Sequence, residues 1–322
     1  MTSDFTLSAD AVTLASAGSS RGVEHPHGSV LRAAARTRRG QVGGALALLV
    51  ILIAALGPLM APQGSGAFVT TPFQTPSSGT LLGGDVLGRD VLSRVLDGGW
   101  ELLLMAAAAT AIGVVVGAVT GVFAAYKGGL TDTLMMRVVD VLLAFPQLVL
   151  ALLLVSVIGP KVWLIVFAVA LGHAPQVARV IRSAALDVCE RDFVKAADLI
   201  ALPPWRVMRR EIMPNVTSPL MVESGLRFTY SIIIIAGLAF LGFGLPPPAP
   251  SWGVMINENR IGLTANPWSV LVPASLLAVL TVGVNTFTDA VARVGLGVVE
   301  RPRRRRFGGL IRSHAARRAS GD

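Results

Sequence analysis

The chain has 322 residues, 53% of them hydrophobic and 15% charged, and 28 Lys and Arg against 19 Asp and Glu give it a formal net charge of +9. A soluble globular domain carries about 25% charged residues, and the mean hydropathy of +0.66 excludes that class. Cys189 is the only cysteine, which excludes an internal disulfide and a multi-cysteine zinc site.

In chain order, residues 1–42 start polar, are rich in Ser, Ala and Gly, and end on an arginine cluster without the layout of a cleavable signal peptide. They are expected to form a disordered cytosolic tail. Crossing a hydrocarbon layer of about 30 Å as a helix takes roughly 20 apolar residues. Six such windows follow, at about 43–62, 101–125, 138–158, 162–182, 217–242 and 269–291. The third and fourth are separated only by Gly159-Pro160-Lys161, which reads as a tight helical hairpin. The runs are long and do not alternate, so the expected fold is an all-α integral membrane protein, a bundle of about six transmembrane helices, and not a β-barrel. A transmembrane domain over 43–292 and a basic C-terminal tail over 293–322 complete the plan.

Basic residues fix the expected orientation. Five lie in the N-terminal tail, two in the 126–137 loop, five in the 183–216 loop and nine from Arg293 onward, whereas Arg89, Arg94, Lys161 and Arg260 make up the other side. The positive-inside rule then places both termini and the 183–216 loop in the cytosol of a multi-pass inner-membrane protein. The cluster Arg301 to Arg306 follows from topology and attraction to anionic membrane lipid. No nucleic-acid-binding motif accompanies it, and nucleic acid is not an expected partner.

Catalytic signatures are missing from the sequence. It has no G-x-x-x-x-G-K-[ST] loop, so ATP hydrolysis, a cofactor and a metal site are not expected. His173 lies in the fourth window, where an ionisable group is costly; Gly172-His173-Ala174-Pro175 reads as a kink with the imidazole on a freed carbonyl, the alternative being a functional role. Glu223 and Arg227 have the i, i+4 spacing of a pair on one helix face. Gly113, Gly117 and Gly121 form two overlapping G-x-x-x-G patterns suited to close helix packing, within the chain or with a second membrane chain. Trp268 and Trp252 read as interfacial anchors.

The run from Glu190 to Asn215 is a polar island. Phe193, Ala196, Ala197 and Ile200 fall at i, i+3, i+4 and i+7, an apolar ridge of small residues suited to a partner's groove, flanked by Lys195 and Asp198. Ala197→Asp is expected to leave membrane insertion intact and abolish coupling. The order resembles the EAA loop of ATP-binding-cassette (ABC) importer permeases, with Lys195-Ala196-Ala197 in the Glu-Ala-Ala place and Ile212-Met213-Pro214 in the Ile-Leu-Pro place. Lys195 replaces the usual Glu and Ala201 the usual Gly, so the turn is expected to be made by Pro203-Pro204.

Three further stretches resemble the permeases of dipeptide and oligopeptide importers. Leu82 to Arg94, read by itself as a solvated outer loop leading into a helix, is similar to L-G-T-D-x-x-G-R-D-x-x-S-R through Asp85, Gly88, Arg89, Asp90 and Arg94, with Gly84 in place of Thr. Ala125 to Pro146 is like the family's cytosolic turn, and Phe240 to Gly253 resembles F-L-G-x-G-x-x-P-P-x-P-x-W-G. The resemblance covers roughly residues 45–300. It implies a C-type permease working with a second permease, two cytosolic ATPase subunits or domains and an extracytoplasmic solute-binding protein, with the loops at 63–98 and 244–268 facing the latter. Import of nickel chelates, glutathione or a sugar is an alternative within the family, and an ATPase-independent transporter or channel is one outside it.

Overall fold

The computed structural model describes residues 27–244 and 249–295. It starts with α1 (His27–Arg36) and α2 (Arg38–Met60), joined at Thr37, whose hydroxyl accepts from the Gly40 amide at 3.0 Å and so caps α2. The disordered tail expected as far as residue 42 is therefore helical from His27 onward. Val30 and Ala34, one turn apart, bury against Ala290, Val291 and Val294 of the last helix, which gives α1 a reason to form. Residues 1–26, 245–248 and 296–322, including the Arg301 to Arg306 cluster, lie outside the described residues.

An irregular segment, 61–90, leads to the short α3 (Val91–Asp97), capped by Asp90, and then to α4 (Trp100–Lys127). The third window is not one span. It divides into α5 (Gly129–Leu143) and α6 (Gln147–Ile158), bent by 77° where Ala144-Phe145-Pro146 intervenes. Pro146 has no amide hydrogen to continue the ladder, and its ring drives Phe145 out of the helical region. Gly159, at φ +97°, turns the chain back into α7 (Val162–Cys189), so the tight hairpin stands.

The elbow, residues 190–216, contains α8 (Asp192–Leu199) and a second arm, Pro204–Asn215, in which Met208–Ile212 is a π-turn. Pro214 cannot donate to the ladder, and the Met213 amide reaches back to Met208 instead. Then come α9 (Thr217–Leu238), α10 (Trp252–Asn259) and α11 (Trp268–Gly295). Among the described residues, α2, α4, α7, α9 and α11 are long and apolar enough to cross a membrane, and the bent α5–α6 pair would be a sixth crossing if it is counted as one span.

The glycine stripe packs within the chain. A Cβ on Gly117 would sit 2.5 Å from the Ala174 carbonyl oxygen and 2.6 Å from Val177 Cβ, and one on Gly121 would sit 2.6 Å from the Ala178 carbonyl oxygen. Without those carbons α4 and α7 approach backbone to backbone, which in lipid replaces the missing hydrophobic drive with dispersion contact. On this pair rest two apolar cores. One, toward α10, contains Leu102, Leu164, Ile232, Leu238 and Leu280; the other, toward the elbow, contains Val122, Val177, Ile181, Val207, Ile212 and Val216.

Candidate functional site

At the end of the bundle away from α1, segment 61–98 and α10 form one hydrogen-bonded cap. Asp85 is fully buried. Its Oδ1 accepts from the amides of Leu87 and Arg89 at 2.9 and 2.8 Å, and its Oδ2 from Arg89 Nε at 2.6 Å and from Arg94 Nη1. Glu258 closes the ring, its Oε2 accepting from Arg89 Nη2 and Arg94 Nη1, both at 2.9 Å. Two guanidinium groups thus face two carboxylates, a formally neutral set in which Glu258 is 21% exposed and the buried Arg94 Nε is left without an acceptor. Gly88, at φ +76°, makes the turn that aims Arg89 inward, and a Cβ there would lie 2.1 Å from the Thr70 carbonyl oxygen. Asp90 accepts from the Ser93 amide at 2.9 Å and the Ser93 hydroxyl at 2.6 Å, starting α3.

The stretch Leu82 to Arg94 is therefore not a solvated loop. Glu258, Asn259 and Asn266 hold it from far along the chain: Asn259 Oδ1 accepts from the Val86 amide at 2.8 Å, and Asn266 Nδ2 donates to the carbonyls of Leu82 and Gly84 at 2.9 and 3.0 Å. Trp252 is a core residue, not an interfacial anchor. It is fully buried and donates from Nε1 to the Val95 carbonyl at 2.8 Å, while Trp268 is half exposed at the start of α11.

Midway along α7, about 17 Å from its start at 1.5 Å per residue, lies His173. Its imidazole does not bond a carbonyl freed by Pro175. It bridges helices: Nδ1 lies 3.0 Å from Gln147 Nε2, Nε2 lies 2.9 Å from Ser231 Oγ, and Ser231 Oγ lies 2.9 Å from Thr110 Oγ1, which donates to the Ala106 carbonyl at 2.7 Å. That last bond uses the Thr110 proton, so Ser231 must donate to Thr110 and His173 Nε2 to Ser231. Nδ1 is left to accept from Gln147, and the ring is the neutral Nε2–H tautomer. Four helices, α4, α6, α7 and α9, meet at this chain of bonds. Thr110, Gln147 and Ser231 are visible as polar letters in apolar windows, and that signal went unused. Nearer the elbow, Glu223 and Arg227 pair as their spacing suggests, at 3.1 Å, with Gln176 as a second partner and Tyr230 5.2 Å from the guanidinium.

The elbow begins as α7 leaves the bundle. Val194 and Ala197 pack inward with Val188, Val207 and Ile212, so the small-residue ridge is not a single face: Ala197 is 6% exposed and belongs to the chain's own core. The outward face carries Phe193, Ala196, Ile200 and Leu199, the last two 70% and 86% exposed, together with Lys195. Leu199 is absent from the sequence-based ridge. Asp198 is held by the Tyr126 hydroxyl at 2.7 Å, which ties α8 to the end of α4. Arg182 grips Asp132 through two parallel bonds of 2.5 Å, and Arg179 pairs with Asp140, so α5 is fastened to α7 at the same level.

The turn after α8 falls at Ala201 and not at Pro203-Pro204. Ala201 has φ +53°, its amide donates to the Asp198 carbonyl at 3.0 Å and the Leu202 amide to the Ala197 carbonyl at 3.2 Å. That is the Schellman arrangement, usually built on Gly, with its apolar contact supplied by Leu202. Pro204 then opens the second arm at a position where its missing donor costs nothing. Chemically the elbow offers no nucleophile or metal cluster among the described residues. It offers a platform with the apolar side chains of Leu199 and Ile200 held out on a charged surface.

The model for binding-protein-dependent transport system inner membrane components matches residues 113–294. The chain is 33% identical over 261 residues to a di/tripeptide transport system permease protein of Pseudomonas aeruginosa, covering 79% of this chain and 86% of the relative. It is 32% identical over 216 residues to a glutathione transport system permease protein of Pectobacterium atrosepticum, covering 67% and 72%. Among solved structures, an inward-facing MetNI methionine ABC transporter aligns with a TM-score of 0.51 at 19% identity, covering 64% of this chain and 96% of the matched one, which is a likeness of fold.

Proposed function

Since the chain belongs to the family of binding-protein-dependent transport system inner membrane components, we propose that it is the C-type permease of an importer for di- and oligopeptides, coupled to ATP hydrolysis through α8. It is a permease subunit of an ABC importer, and its family works with ATPase and substrate-binding partners. The finer reading adds a second permease chain beside it, two ATPase subunits or domains against the elbow, both termini in the cytosol and the cap turned toward the binding protein. The peptide class is taken from relatives whose names specify di/tripeptide and glutathione, itself a tripeptide. In this reading the chain hydrolyses no ATP and needs no cofactor.

The observation that carries the coupling role is the two-sidedness of α8. Val194 and Ala197 lock it to α7 and the second arm, while Leu199 and Ile200 are presented outward. A push on the outer face therefore moves the bundle with it, because a packed interface transmits displacement. Phe193, Ala196, Leu199 and Ile200 make the contact, Lys195 flanks it, Asp198 braces the helix from Tyr126, and Ala201 and Pro214 set the angles of the two arms. The cap residues Asp85, Gly88, Arg89, Asp90 and Arg94 maintain the outer surface without touching solute.

The test is purification of the tagged chain from its native membrane in mild detergent, with mass spectrometry of everything retained. Recovery of a second permease and P-loop ATPases is the expected outcome. A stable, monodisperse chain alone would overturn the importer assembly. Peptide uptake by the reconstituted complex, absent for a nickel chelate, is the expected substrate result.

A further inference from the structure

Between α4 and the second arm of the elbow runs a crevice of about 290 Å³. Val119, Val122 and Phe123 of α4 form one wall and Met208 and Met213 the other, with Trp205 and Arg209 at the rim. The walls are apolar and two of them are methionines, side chains that adapt to an irregular flexible guest. The rim is cationic: the Arg209 guanidinium stands 5.7 Å from the Trp205 ring centroid, and Arg206 and Arg210 are exposed beside it. Glu211, half-buried, is the only carboxylate between Leu202 and Val216.

Depth completes the description. Phe123 and Val119 precede the end of α4 at Lys127 by four and eight residues, or about 6 and 12 Å at 1.5 Å per residue. With the end of α4 at the membrane surface, that interval falls at the boundary between headgroups and acyl chains, where aromatic rings and basic side chains settle. A guest with an apolar tail of this length and an anionic head at the level of Arg209 matches each part of the crevice.

We propose that this crevice is a binding site for an anionic phospholipid of the cytosol-facing leaflet, with an acyl chain between α4 and the second arm and the phosphate on Arg209, aided by Arg206 and Arg210. The leaflet rests on the cytosolic placement of the elbow, whereas the occupancy does not. A lipid here fills the angle between the transmembrane core and the arm that carries α8, so the lipid composition of that leaflet enters the mechanics of coupling.

The test is native mass spectrometry of the intact importer delipidated in detergent and titrated with phosphatidylglycerol or phosphatidylcholine, the adducts being read on this chain after its release. One phosphatidylglycerol per copy is expected to persist, with phosphatidylcholine held more weakly. Arg209→Gln is expected to lower retention about fivefold, the effect of one basic residue at a membrane surface, and Val119→Trp, at an exposed position of the wall, to abolish it. Equal retention of both lipids would overturn the anionic assignment, and equal retention by both variants and the parent would overturn the site. A photo-crosslinker at Val119 that captures the second permease instead of lipid would also overturn it. Labelling of Asn215→Cys by an impermeant thiol reagent from outside intact cells, in a Cys189→Ser background, would overturn the leaflet and the proposed orientation while leaving occupancy to the mass measurement.

Discussion

At the cap, Asp85, Arg89 and Arg94 turn inward onto one another and onto Glu258, and Trp252 is buried behind them. At the elbow Lys195, Arg206, Arg209 and Arg210 point outward, and Leu199, Ile200 and Trp205 point outward with them. At the cap the buried charges pair among themselves, while Phe68, Leu81, Leu87 and Ile261 stay exposed on its surface. The elbow has satisfied only one side, so half of its apolar surface is still to be covered. The two ends thus differ in where their charge lies: Asp85, Arg89 and Arg94 are paired inside the cap, whereas the basic groups of the elbow lie on its surface.

The comparison breaks most severely at Asp85. Asp85→Asn removes the shared acceptor of two buried guanidinium groups, and an unpaired buried charge costs about 3–5 kcal/mol. A large loss of thermal stability and of folded yield is expected, and wild-type melting in detergent would show that the cap does not sustain itself. At the other end, Ala197→Asp is expected to destabilise by several kcal/mol as well, because Ala197 lies in the core. The expectation that membrane insertion stays intact is unaffected, but a loss of coupling in this variant is then expected to come with a loss of stability.

Ile200→Asp sharpens the contrast. The side chain is exposed, so melting is expected to change by no more than about 0.5 kcal/mol, while ATPase binding and uptake fall to background. Uptake at the wild-type rate would remove α8 as the point of coupling. The smallest effect is expected at the turn. Ala201 pays about 1 kcal/mol for its left-handed conformation, so Ala201→Gly is expected to stabilise the elbow by that amount, measured as slower amide exchange at Leu202 with uptake unchanged.

Much of the fold was legible because lipid demands long apolar runs, and five of the six windows correspond to continuous helices. The break at Pro146 was missed because a hydropathy window sums composition and is blind to one missing amide hydrogen in a leucine-rich run. The inward face of α8 was not legible either, since Phe193, Val194, Ala196, Ala197, Leu199 and Ile200 place apolar atoms on nearly every side and periodicity cannot choose among them. The state of the cap depended on Glu258, more than 160 residues from Arg89 and Arg94. The partners of His173 come from three other helices and not from a carbonyl freed by Pro175, and spacing along one helix carries no trace of them.

The 77° break also constrains how the protein is made. At 12 residues α6 is about 18 Å long, well short of a bilayer of about 30 Å, so the translocon cannot release it as an independent span. The carboxylates of α5, Asp140 and Asp132, find their arginines on α7, which the ribosome adds 39 and 50 residues later. Until α7 is in place, α5 therefore lacks both of these partners. The stretch from Gly129 to Cys189 is therefore expected to settle as one unit, α5 and α6 becoming fixed only when α7 is present.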